Sequence, residues 1–160
     1  MNLAFETIPT DRFAKPNLAG LMALFESNYA RWRTLLPAGY SAIEMTSYAD
    51  GDLPLHLRVL EKTPYTELLQ LTYYFPQGEV RQADPDVYMR VYRDLRQAEV
   101  VSYWRDNQRI DVNNLQAQWQ SALRRRWEAN MLLNKWLRYC LDRGHRFGVH
   151  EAMMSPLALS

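Results

Sequence analysis

Arg90, Tyr92 and Glu99 are the polar side chains whose types and spacing come closest to a binding or catalytic set. Arg90 and Tyr92 stand two apart in a stretch of alternating character, so they share one strand face. If Asp94 to Gln97 closes a tight hairpin, Tyr92 lies opposite Glu99 or one step off, with Arg90 in diagonal reach. On a covered or concave face, Arg90 would anchor an anionic or amide-bearing ligand and Glu99 would serve as acid or base. On an open face the same residues make an ordinary cross-strand pair, which is the reading the pattern favours.

A second concentration lies near the end of the chain. Between Arg124 and Arg146, seven basic and two acidic residues make the stretch +5, which leaves −4 for the rest of a chain at +1. Arg124, Arg125 and Arg126 invite a nucleic-acid reading through phosphate contacts. Consecutive helical residues spread round the axis, however, so the three cannot point one way. A near-neutral total also disfavours a general polyanion binder. The basic side chains are uneven in kind, with sixteen Arg and three Lys. Arg suits bidentate contacts and stacking on aromatics, of which five Trp and ten Tyr are present.

Other chemistry is poorly supplied. His56, His145 and His150 have no Cys or carboxylate at zinc-like spacing and read as surface groups, so no metal is expected. Cys140 sits in an apolar helical stripe and reads as a buried, inert thiol. No phosphate-cradling glycine pattern, nucleophile elbow or paired-His helix motif occurs, and no cofactor is expected.

These residues need elements to position them, and the hydropathy pattern supplies two kinds. From Asn17, a plausible N-cap, Leu18, Leu21, Met22, Phe25, Tyr29, Trp32 and Leu36 recur at helical spacing until Pro37 and Gly39. The period then becomes two. Strands are predicted around Ile43–Ser47, Leu55–Leu60, Leu69–Phe75, Val87–Tyr92 and Ala98–Tyr103, with Pro76 to Pro85 as the longest loop. After Asn113 or Asn114, a second cap candidate, the helical period returns through Trp119, Ala129, Leu133, Trp136, Leu137 and Cys140. Gly144 sits where a left-handed C′ residue would end it.

The expected fold is therefore α+β: an antiparallel sheet of about five strands, with an N-terminal and a C-terminal helix packed on one face. The expected organisation is a loose leader over 1–15, one domain over 16–144 and a tail over 145–160. The chain has 160 residues, 48% of them hydrophobic, which is enough for one core without disulfide staples. The single cysteine and the lack of a secretory leader or an apolar span point to a cytoplasmic protein.

Several short runs resemble the family of small uncharacterised bacterial proteins called YqiB-like. They are Met89-Arg90-Val91-Tyr92-Arg93-Asp94 with Ala98-Glu99-Val100; Trp136-Leu137-Arg138-Tyr139-Cys140-Leu141; Asn28 through Leu35-Leu36-Pro37; and Glu61 with Tyr65-Thr66. They follow in order over about residues 20 to 144. The resemblance implies a cytoplasmic protein of no established activity and gives no catalytic residue. It marks Glu26, Asn28, Arg33, Glu61, Tyr65, Arg90, Tyr92, Asp94, Glu99, Asn130 and Arg138 as the polar residues of the pattern. Arg93 stands where that pattern has His, so no imidazole is available there. Three functions follow, in order of preference. The first is a non-enzymatic binding or adaptor protein whose Arg/Tyr-rich face meets another protein, with self-association into a dimer also expected to be open to it. The second is a small anionic-ligand binder or enzyme using Arg90 and Glu99. The third is nucleic-acid binding through the last helix.

Overall fold

A computed structural model describes residues 16–77, 80–105, 108–113 and 118–148. Helix α1 (Leu18–Leu35) leads into six strands, β1 (Glu44–Ser47), β2 (Leu55–Lys62), β3 (Thr66–Gln77), β4 (Val80–Tyr92), β5 (Gln97–Arg105) and β6 (Gln108–Asp111), and helix α2 (Trp119–Asp142) follows. The strands lie in sequence order and every neighbouring pair is antiparallel. The α+β layering is as the sequence predicts, with six strands rather than five. The additional strand, β6, is only four residues long and three of its side chains are exposed, so it carries no strong alternating signal.

The Pro76–Pro85 stretch is mostly strand rather than loop. Pro76 pairs with Arg81, and the register shifts between Thr72 and Tyr74 opposite Pro85. A bulge is where a strand tolerates a residue without an N–H. Thr72 Oγ1 donates to the Pro85 carbonyl there at 2.8 Å.

One side of the sheet packs on both helices. Met45, Leu55, Leu57, Leu69, Leu71, Tyr73, Val87, Met89, Val91, Ala98 and Val100 meet Trp32, Leu35, Ala129, Leu133, Trp136, Leu137 and Cys140 in one core. Asn17 caps α1 as predicted, its side chain accepting the Gly20 N–H at 2.7 Å. The buried stripe of α1 is rotated from the expected one. Leu24, Asn28 and Leu35 are inside, while Leu18 and Met22 are exposed. Asn113 caps no helix. It sits in the turn after β6, with its N–H on Asp111 Oδ1, and Gln118 precedes α2. Asn114 lies outside the described residues.

At the end of α2, Gly144 has φ +96°, a left-handed value that disfavours any side chain. The Gly144 N–H reaches Leu141 O and the His145 N–H reaches Cys140 O, which together form a Schellman turn. The turn sends the chain back over the core. Phe147 is fully buried against Trp32, and its N–H bonds the Leu35 carbonyl at 2.7 Å.

Candidate functional site

The sheet face away from the helices carries two rows of polar and aromatic side chains. The register aligns Glu44, Arg58, Gln70, Tyr88 and Ser102 in one row and Thr46, His56, Thr72 and Asp86 in the next. Arg109, on β6, ties them together. Its guanidinium donates to Asp86 Oδ2 and to Ser102 Oγ, each at 3.0 Å. The same group lies 4.1 Å from the Tyr88 ring centroid and 5.9 Å from that of Trp104. Gln70 Nε2 donates to the second Asp86 oxygen at 2.8 Å. Asp86 is thus saturated and only 7% exposed although, among the described residues, no helix covers it. Beside it, Glu44, Thr46, His56, Arg58, Gln70, Thr72 and Tyr74 line an open groove of about 340 Å³. The His56 and Tyr74 rings meet edge to face at 5.0 Å, and Arg58 pairs with Glu44 at 3.1 Å.

Arg90 and Glu99 are direct register partners, and Tyr92 is the diagonal one. The four residues Arg93 to Arg96 between the paired Tyr92 and Gln97 set this register. The ion pair at Glu99 is nevertheless made by another residue. Arg126 Nη2 of α2 donates to Oε2 at 2.9 Å, and the Tyr92 hydroxyl donates to Oε1 at 2.7 Å. Burial first, and then the Glu99 carboxylate, push the Tyr92 phenol up to about 12. Glu99 is 9% exposed with both oxygens engaged, which suits a fixed anchor for α2 better than an acid or base. Neither Arg90 nor Glu99 lines the groove.

Arg126 can reach Glu99 because the helix pair sits along the first half of β5. Strand β6 pairs β5 only from Ser102 to Arg105, which leaves Ala98 to Val100 without a strand partner on that edge. Side-chain amides take the strand's place. Asn130 Oδ1 accepts the Val100 N–H at 2.9 Å, and Asn28 Nδ2 donates to the Ala98 carbonyl at 3.4 Å. Asn28 Nδ2 also donates to Asn130 Oδ1, and Asn134 Nδ2 donates to Asn28 Oδ1. Asn130 Nδ2 closes the set on the Arg126 carbonyl. All three asparagines are buried. A free strand edge invites foreign pairing, and here the helices block it.

A third polar cluster lies under the β1–β2 turn. His145 is fully buried, which corrects its reading as a surface group. Its Nε2 is 2.9 Å from Asp52 Oδ2 and its Nδ1 is 3.0 Å from Ser47 Oγ. The Tyr73 hydroxyl donates to the same Asp52 oxygen at 2.8 Å and touches Cys140 Sγ at 3.3 Å. The Ser–His–Asp order resembles a hydrolase triad. Ser47 is fully buried, however, and its oxygen accepts the Arg146 N–H, so no substrate carbonyl can approach it as arranged. Burial pushes the Cys140 thiol up to about 12, in line with the inert reading. Among the described residues no three His, Cys, Asp or Glu gather as metal ligands.

Arg93, in the position where the family resemblance has His, faces Glu67, its Nε 3.4 Å from Oε1. Its Nη2 donates to the Thr63 carbonyl, and the Tyr40 hydroxyl donates to the other Glu67 oxygen at 2.9 Å. Glu67, on the core side of β3, is therefore neutralised by a cation that keeps its charge at every accessible pH. Burial, with Glu67 adding, raises the Tyr40 phenol well above its ordinary value.

Residues 31–146 match the family described as "Protein of unknown function (DUF1249)". The chain belongs to this family. It is 30% identical over 132 residues to the uncharacterized protein YqiB of Escherichia coli strain K12, across 81% of this chain and 91% of that protein. The YqiB proteins of E. coli O6:H1 and O157:H7 match to the same extent. No solved structure matches the chain.

Within the DUF1249 stretch the predicted site residues do not form one site. Arg90, Tyr92 and Glu99 adjoin, and Glu61 pairs with Leu68, itself the partner of Arg90, so it lies in the same row two strands away. Tyr65 is 65% exposed in the β2–β3 turn, and Asp94 is exposed in the β4–β5 turn. Asn130 is inside, whereas Arg138 is exposed and lies 3.8 Å from Asp142. Arg124 is exposed, Arg125 half-buried, and Arg126 turns to Glu99 and the Phe25 ring, so no single basic patch forms. Asp86, Arg109, Tyr88 and Trp104 were not singled out from sequence. Their link runs across three strands, one of them the unforeseen β6. Asn28, Asn130 and Asn134 did leave a signal, as polar residues at helical spacing among apolar ones. His150 lies outside the described residues.

Proposed function

We propose that this protein is a non-enzymatic binding protein that receives another protein on the outer face of its sheet. The carrying observation is the Arg109 cluster, where one guanidinium is held between Asp86, Ser102 and two aromatic rings. The surface around it presents half-buried Tyr74, Tyr88 and His56 beside the Arg58–Glu44 pair. Aromatic and Arg side chains held rigid before contact are the groups that concentrate binding energy at protein interfaces. Because Arg58 and Arg109 are each matched by a carboxylate, the face suits a mixed-charge protein surface better than a nucleic-acid backbone. Saturation of Glu99 by Arg126 and Tyr92 supports binding over acid–base chemistry. A cytoplasmic setting is part of this reading and is supported by the single buried thiol.

The test is affinity capture with three forms of the full chain followed by in vitro binding to the purified partner. The expected outcome is a partner that binds the wild type and Arg138→Glu alike and binds Arg58→Glu/Tyr74→Ala at least tenfold more weakly. Equal binding by all three forms would overturn the assignment of the face.

A further inference from the structure

We infer that the segment from Gly144 to Phe147 is an acid-operated latch, held shut by a buried hydrogen-bond chain through Ser47, His145 and Asp52 and released when His145 takes up a proton. This goes beyond the docking role of the outer sheet face and concerns the opposite side of the molecule.

The segment is fastened at three points. The Arg146 N–H donates to Ser47 Oγ at 2.9 Å, His145 spans Ser47 and Asp52, and the Phe147 N–H donates to Leu35 O at 2.7 Å. Gly144 provides the hinge. Its left-handed φ is open to glycine, and a Cβ there would meet nothing within 4 Å, so no neighbour packs on the hinge itself. Opening it would withdraw Phe147 from the Trp32 ring.

The proton positions follow from the partners. The Asp52 carboxylate can only accept, so His145 donates Nε2–H to it. Nδ1 is then the acceptor, and the Ser47 hydroxyl donates to it while receiving the Arg146 N–H. Every hydrogen in this chain has one acceptor. A proton added at Nδ1 meets the Ser47 hydroxyl hydrogen head on. The hydroxyl must turn away into a buried site and lose its acceptor, and the new charge must sit in a pocket closed to water.

The groups that face His145 come from every element around it. Asp52 of the β1–β2 turn and the backbone of Ser47 on β1 favour the cation. Arg143 at the end of α2, bonded to the Gly51 carbonyl at 2.7 Å, opposes it. Arg146, bonded through Nη1 to the His145 carbonyl, adds a second positive neighbour. Tyr73 of β3 already occupies Asp52 Oδ2, and the tilted Tyr73 ring lies 5.9 Å from the imidazole. Cys140 and Tyr73 stay protonated through the acid range, since burial raises both. The balance is set first by burial, which lowers the affinity of His145 for a proton below its ordinary value. In the free segment that penalty is gone, so acid favours the open form.

Amide exchange of the full chain tests this, read by NMR between pH 7.5 and 5 and corrected for intrinsic exchange. Arg146 and Phe147 report the latch, Leu71 of β3 reports global opening, and the imidazole Cε1–H signal reports the charge on His145. The expected result is that opening at Arg146 and Phe147 increases by up to about tenfold per pH unit as pH falls from the ordinary imidazole range toward the lowered value of His145 in the closed chain, while Leu71 keeps its protection. His145→Gln should remove that pH dependence. Loss of protection at Leu71 in step with Phe147, or an unchanged slope in His145→Gln, would overturn the latch. If His145→Gln does not fold, the wild type decides alone. Opening that rises with acid while the imidazole signal still reports a neutral His145 supports the proposal, and opening that stays flat until that signal shifts overturns it.

Discussion

The two sides of the sheet use the same polar residue types to opposite ends. On the helix side, Asn28, Asn130, Asn134, Ser47, Asp52 and His145 have their strong partners inside the protein, and they fasten the helices and the segment after α2 to the strands. On the outer side, Arg109 and Asp86 are equally well paired, yet neighbours such as Arg58 and Glu44 remain largely in solvent. The difference teaches that saturation alone does not mark a site. What distinguishes the outer face is polar and aromatic chemistry that stays open to solvent.

The comparison breaks most visibly if an amide on the helix side proves dispensable. Asn130→Ala removes the acceptor of the buried Val100 N–H and a partner of Asn28, so the variant should lose about 3 kcal/mol in urea unfolding. A loss below about 1 kcal/mol would mean that the helices do not hold the β5 edge.

Glu99 sharpens the contrast by a smaller step. Glu99→Gln keeps an acceptor for Tyr92 but weakens the Arg126 contact, and should cost about 1–2 kcal/mol. Arg90→Ala, at the register partner that makes no ion pair with Glu99, should change stability by less than about 0.5 kcal/mol. Equal losses in the two variants would restore the Arg90–Glu99 pairing expected from sequence.

Acid separates the sides in another way. The His145 proton affinity is lowered in the folded chain relative to 6.5, so below that pH the unfolded chain binds a proton that the folded one refuses. Stability from this group is complete above about 6.5 and is lost as pH falls toward the folded value. Denaturation at pH 7 and 5.5 should show a larger drop in the wild type than in His145→Gln, and identical drops would contradict the buried, neutral imidazole. The smallest effect belongs to the outer face. Arg58→Glu should leave stability within about 0.5 kcal/mol, since both partners of this ion pair are more than half exposed.

The layered architecture was legible because strong periodicity survives in single elements. The 3.6 period of Phe25 and Trp32 and the alternation of Leu69, Leu71 and Tyr73 each report a local backbone. The Gly144 cap and the Asn17 cap were legible for the same reason. What failed was long-range. Arg126 displaced Arg90 at Glu99 because α2 packs beside a strand edge, and no spacing along the chain records that. His145 looked like a tail residue because its partners, Ser47 and Asp52, lie more than ninety positions earlier. The Pro76–Pro85 stretch looked like a loop because proline usually ends strands, whereas a bulge at Pro85 accommodates it here.

The helices seal the β5 edge through side-chain amides, Asn130 on the Val100 N–H and Asn28 on the Ala98 carbonyl. Residue-resolved hydrogen exchange at the Val100 N–H tests it most directly. Protection equal to that of Leu71, lost only on global unfolding, is the predicted result. Exchange many-fold faster than Leu71, as at an open strand edge, would contradict it.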